Sequence, residues 1–164
     1  MTPDRRSIAI AQLVDAILRI MPGASLTAAA AAIAARIPRI APSDLFAIDR
    51  AVRARSTWYA EPWYALDPAS VPHLAHVLVE AGCVEALGFV GSHPNGYVRE
   101  AVVHALGEVR SGAELPFLAL RANDWVPVIA TAAADLILRR LTIENRAAVV
   151  SASPVLARMP HASV

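Results

Sequence analysis

Residues 87–109 and 115–137 of this 164-residue chain are similar to one another, and no other sequence feature limits the possible folds as much. Leu87, Phe89, Val90, Asn95, Tyr97, Val98 and Ala105 return as Leu115, Phe117, Leu118, Asn123, Trp125, Val126 and Ala133, at a constant offset of 28 residues. A fixed period of this size predicts stacked repeats, in which each unit buries its apolar face only against its neighbours. The repeat speaks to architecture and is silent on activity.

Capping residues and prolines separate stretches whose apolar residues recur three and four apart, so helices are predicted almost throughout. Before the repeats come a helix from about Pro3 to Met21, a second from Ser25 to Ile37 stopped by Pro38, and a third starting near Ser43. The third carries Leu45, Ile48, Ala51 and Val52 inward, with Arg50, Arg53 and Arg55 mainly outward. A proline-interrupted aromatic segment, Trp58 to Pro68, then forms a joint containing Trp58, Tyr59, Trp63 and Tyr64.

Asp67 and Pro68 open a helix running through Ser70 to Ala81, which Gly82 ends. Pairs of a shorter and a longer helix follow: Val84 to Val90 with Tyr97 to Val109, and Ala113 to Arg121 with Trp125 to Leu141. The last pair is Glu144 to Ser151 with a short end near Val155 to Arg158. No stretch alternates apolar and polar residues with period two over a useful length, so no sheet is predicted. The chain reads as one domain: an N-terminal helical cap over residues 1–58, the joint over 59–67 and repeats over 68–158.

An apolar fraction of 56% and a mean hydropathy of +0.46 reflect dense helix packing rich in alanine. The longest weakly polar run, Ala24 to Ala35, is shorter than the ~20 apolar residues of a membrane-spanning helix. Arg5 and Arg6 precede an apolar stretch as in an export signal, but Gln12, Asp15 and Arg19 interrupt it. A single cysteine, Cys83, rules out an internal disulfide framework, and a cytoplasmic protein is expected. The net charge is +1, which predicts no strong overall attraction to nucleic acid or membrane. Its distribution is uneven, with eight arginines against four carboxylates in residues 1–58, two against seven in 59–120 and five against three in 121–164.

Val98-Arg99-Glu100-Ala101, continuing to Ala105-Leu106-Gly107-Glu108-Val109, resembles the second helix of a HEAT-like repeat, of the short kind found in phycobilisome lyases. The resemblance covers about residues 68–158 and is specific for Cys83 to Arg140. In the second copy Pro127 replaces the arginine, and Ala134-Asp135 replaces Leu-Gly. The resemblance implies an all-α, right-handed α-solenoid of helical hairpins with an N-terminal helical cap, in which Arg99 ties adjacent repeats together. It also implies a non-enzymatic scaffold or adaptor that binds another protein and needs no cofactor. Accessory enzymes share the fold, among them chromophore lyases and nucleic-acid repair proteins, and remain an alternative.

Tyr97, Arg99, His104, Trp125 and Thr131 lie on the repeat helices expected to face such a partner. A second candidate surface combines Arg50, Arg53 and Arg55 with Trp58 and Trp63, since interleaved arginines and aromatics can stack bases or anchor a protein. These rings can equally fill a wedge between the cap and the repeats. His73, His76 and Glu80 share one helix face at metal-ligand spacing, without a second ligand pair. No glycine-rich phosphate loop, nucleophile motif or metalloprotease pattern is present, so no catalytic residue is assigned.

Overall fold

The structure, a computed structural model, describes residues 41–55 and 66–157. Its helices are α1 (Leu45–Arg55), α2 (Val71–Glu80), α3 (Val84–Val90), α4 (Gly96–Glu108), α5 (Leu115–Arg121), α6 (Pro127–Leu138) and α7 (Arg146–Leu156). Short 3-10 turns, Pro42–Asp44 and Pro68–Ser70, lead into α1 and α2. Among the described residues there is no strand, and no helix is long and apolar enough to cross a membrane. The expected helices Pro3 to Met21 and Ser25 to Ile37, the residues Trp58 to Tyr64, the Arg55 side chain and Arg158 lie outside the described part.

Helices α2, α4 and α6 pack side by side in one row, and α5 packs against both α6 and α7 in a second. Helix α3 bridges α2 and α4, while the ring of Phe117 on α5 lies against Gly88 of α3. Leu87, Val98, Val102, Leu106, Leu118 and Ile129 fill the space between the rows and are essentially inaccessible to solvent. Each such side chain stabilises the fold by ~1.5–3 kcal/mol. Glycine in mid-helix costs about 1 kcal/mol relative to alanine, yet a Cβ at Gly88 would stand 2.1 Å from the Phe117 ring. Close approach of α3 and α5 therefore requires glycine there.

The repeat has a different register from the one the sequence suggests. Helices α3, α5 and α7 start at Val84, Leu115 and Arg146, and α4 and α6 start at Gly96 and Pro127, a spacing of 31 residues in each case. The turn hydrogen bonds keep the same step: Leu87, Leu118 and Val149 donate their N–H groups to Cys83, Glu114 and Asn145. Likewise Gly91 donates to Leu87, and Ala122 to Leu118. A slip of three residues turns a helix by ~300°, close to one full turn, so both registers place buried residues on buried residues. Phe89 and Phe117 are both buried, but they are not structural counterparts.

Other boundaries also shift. Helix α6 starts at Pro127 rather than Trp125, because proline fits the first turn and Val126 is extended. The two expected C-terminal pieces are one helix, α7, which continues through Pro154. Pro154 removes one bond, to the carbonyl of exposed Val150, where water can replace it. The 3-10 turn Pro42–Asp44 and α1 pack against α7 and α5.

Candidate functional site

Tyr97, His104 and Thr131 are exposed on α4 and α6, and Trp125 is exposed in the turn before α6. Asn95 caps α4 by accepting from the Tyr97 N–H at 3.0 Å, which leaves the Tyr97 ring at the helix start, 73% exposed. Trp125 stands two residues before α6 and is 66% exposed. Arg99 differs from these four: at 1% exposure it is interior, and its donors already have partners within the chain. It joins α4 to the turn before α6 and is not a surface contact.

The junction is built from both α4 and the turn before α6. Arg99 Nε and Nη2 donate to Oδ2 and Oδ1 of Asp124 at 2.9 and 3.0 Å. Its Nη1 donates to the carbonyls of His93 and Pro94 at 3.1 and 2.8 Å. Asp124 also accepts from Arg121 Nη1 at 3.0 Å and from the Val126 N–H at 3.1 Å, and Arg53 Nη2 lies 3.7 Å away, so one carboxylate caps a turn and pairs with three arginines. Arg121 reaches on to Asp49 of α1, which in turn accepts from Arg53 Nε at 2.9 Å.

Burial by itself would push the Asp124 carboxyl up. The Arg99 hydrogen bond, the Val126 N–H and the charges of Arg121 and Arg99 outweigh it and hold the group below the usual aspartate value. Burial pulls Arg121 below the usual arginine value, with Asp49 opposing and Arg53 reinforcing that shift. The guanidinium carbons of Arg53 and Arg99 lie 4.1 and 4.4 Å from the Trp125 ring, so the indole roofs the network through cation–π contacts. Arg53 is thus half-buried and drawn inward, contrary to the expectation that it lies outward, while Arg50 is exposed.

At the other end of the same interface, Arg140 Nε donates to Glu114 Oε1 at 2.8 Å, and its Nη2 donates to the carbonyls of Gly107 and Val109. Glu114 Oε2 is buried without a hydrogen-bond partner among the described residues. Arg99 and Arg140 therefore brace the two ends of the contact between α4 and the hairpin that follows it.

A groove of about 600 Å³ follows the seam between α2 and α4. Ala75, Val79, Ala101 and Ala105 give it an apolar wall, and His76, His104 and Glu108 supply its polar groups. His76 Nε2 lies 3.3 Å from Glu80 in an exposed pair, and His73 is exposed on the same helix. Neither they nor any other group of three His, Cys, Asp or Glu side chains among the described residues comes together as a metal site. The apolar groove itself was missed from the sequence. Its signal was available in alanines recurring at helical spacing beside histidines, but which helices adjoin cannot be read from one helix's pattern.

The chain matches no family model, no curated protein and no solved structure.

Proposed function

We propose that the chain is a HEAT-like repeat scaffold or adaptor, an α-solenoid of helical hairpins that binds another protein on the exposed face of α2, α4 and α6 and performs no chemistry of its own. The single observation that carries this reading is the continuous row of α2, α4 and α6, which exposes Tyr97, His104 and Thr131 and has an apolar groove along its α2–α4 seam. Aromatic rings on rigid helix edges give large contact area at low conformational cost. The 31-residue spacing of helix starts supports the hairpin reading, and Arg99 has the inter-repeat position that the family resemblance implies. The protein would act in the cytoplasm without a cofactor.

Affinity purification of the tagged chain from its source cells tests this. A stoichiometric polypeptide should co-purify, and the surface change Thr131→Arg should release it while Val150→Arg on α7 retains it. Both positions are exposed, so neither change should unfold the chain. Recovery of no polypeptide, of a bound pigment, or of a partner indifferent to both changes would overturn the reading.

A further inference from the structure

We propose that the groove between α2 and α4 receives a cationic amphipathic helix, an occupant that specifies the partner class within the adaptor reading and rests on it. The shape comes first. Pro72, Ala75 and Val79 lie on α2 at steps of three and four, and Ala101, Ala105 and Val109 follow at steps of four along α4 and its C-terminal cap. Each set spans about two helical turns, roughly 10–12 Å of length. A docking helix places its own anchors at i, i+3 or i+4, and i+7, the same length. Alanines on the walls leave room for larger aliphatic anchors from outside, so the seam is a socket for knobs carried by the partner.

Charge decides which amphipathic helix fits. Over the described residues 66–109 the carboxylates are Asp67, Glu80, Glu85, Glu100 and Glu108, and none of these is buried. The same stretch contains one arginine, Arg99, which is interior and tied to Asp124. Arg110, exposed just beyond the end of α4, is the next cation along the chain. Glu108 borders the groove directly, and Glu80 reaches it through His76. Glu85 faces a different cavity, beside Phe117 and Ala148, and no exposed arginine or lysine on α2, α3 or α4 offsets Glu80 and Glu108 at the groove. An acidic helix would meet repulsion there, whereas a helix flanked by arginine or lysine would be steered in and held in register.

The probe is a fluorescently labelled synthetic helix of about 18 residues with a leucine stripe at i, i+4 and i+7 and arginines beside it, tested on the full chain by anisotropy. Its counterpart keeps the leucines and replaces every arginine by glutamine. The arginine peptide should bind at least about tenfold more tightly than the glutamine peptide, and lose most of that advantage between about 50 and 500 mM salt. Two changes test the location. Ala105→Trp fills the groove without altering charge and should weaken binding about tenfold or more, while the double change Glu80→Gln, Glu108→Gln should weaken it several-fold. The glutamine variants alter only exposed side chains, so they test the proposal even where Ala105→Trp disturbs the fold.

Equal binding of both peptides, or binding that neither set of changes affects, would overturn the inference. So would a concentration-dependent dimer abolished by Ala105→Trp, since a second copy would then own the groove. A natural partner retained by the Ala105→Trp variant yet released by Thr131→Arg would defeat this inference and leave the adaptor reading standing.

Discussion

Replacing Asp124 by asparagine should remove more stability than any other single polar change in the described part of the chain. The substitution nearly preserves shape, and the asparagine Oδ1 can still accept from the Val126 N–H, so the local turn survives. What disappears, among the described residues, is the only carboxylate paired with Arg99 and one of the two paired with Arg121, both of which remain buried as cations. The Asp124 side chain is 0% exposed, so water cannot replace the missing charge. Removing one partner of a buried ion pair costs ~3–5 kcal/mol, a large part of the ~5–15 kcal/mol that holds a domain together. Urea unfolding followed by helical circular dichroism measures the loss.

The same substitution has a pH signature with a fixed sign. Asp124 has a lowered value in the folded chain, so its contribution is fully present above the unfolded aspartate value of ~3.9 and is lost as pH falls through the folded value. Asparagine does not titrate. The stability gap between the native chain and D124N should therefore be widest at neutral pH and narrow below about pH 4. A gap under about 1 kcal/mol at pH 7 would refute the view of Asp124 as the hub of the interface, and a gap of constant size from neutral to acid pH would refute its electrostatic origin.

Four further outcomes follow from the packing. Gly88→Ala drives a methyl into the Phe117 ring and should cost ~1–3 kcal/mol or more, against the gain of ~1 kcal/mol that alanine brings to an unobstructed helix. Urea melts showing stabilisation would contradict the close approach of α3 and α5. Arg140→Met strands the buried Glu114 carboxylate and should cost ~3 kcal/mol or more, and adding Glu114→Met should restore most of the loss in a double-mutant cycle. Asn95→Ala removes the cap of α4 and should lower stability by about 1 kcal/mol by the same melt. Trp125→Ala should cost less than D124N, because the ring is mostly exposed, while partner binding in the purification assay falls sharply.

The helical class was legible because prolines, caps and apolar steps of three and four mark each element locally. Asp67 caps its 3-10 turn through the Ala69 N–H, and Val84 to Val90 has the bounds its pattern suggests. The repeat was legible too, but its step was not, since near-equivalent faces recur after almost one helical turn. Phe89 and Phe117 therefore aligned by identity, although Phe117 has Ala86 as its structural counterpart at a step of 31. The exposed contact set was accessible as four separate residues. Arg99 was grouped with them because a helix-start arginine carries no mark of which residue it will meet 25 positions later.

Register then explains what sequence reading could not reach. At a step of 31, Arg121 falls on Val90 and Arg140 on Val109, two sites that the earlier copy fills with buried aliphatic residues. A step of 28 sets Arg121 against His93 and Arg140 against Gly112, both outside the helices, and the exchange of a core aliphatic for a core cation is hidden. An arginine at a core site of a repeat must bring its own anion, and Asp124 and Glu114 are those anions.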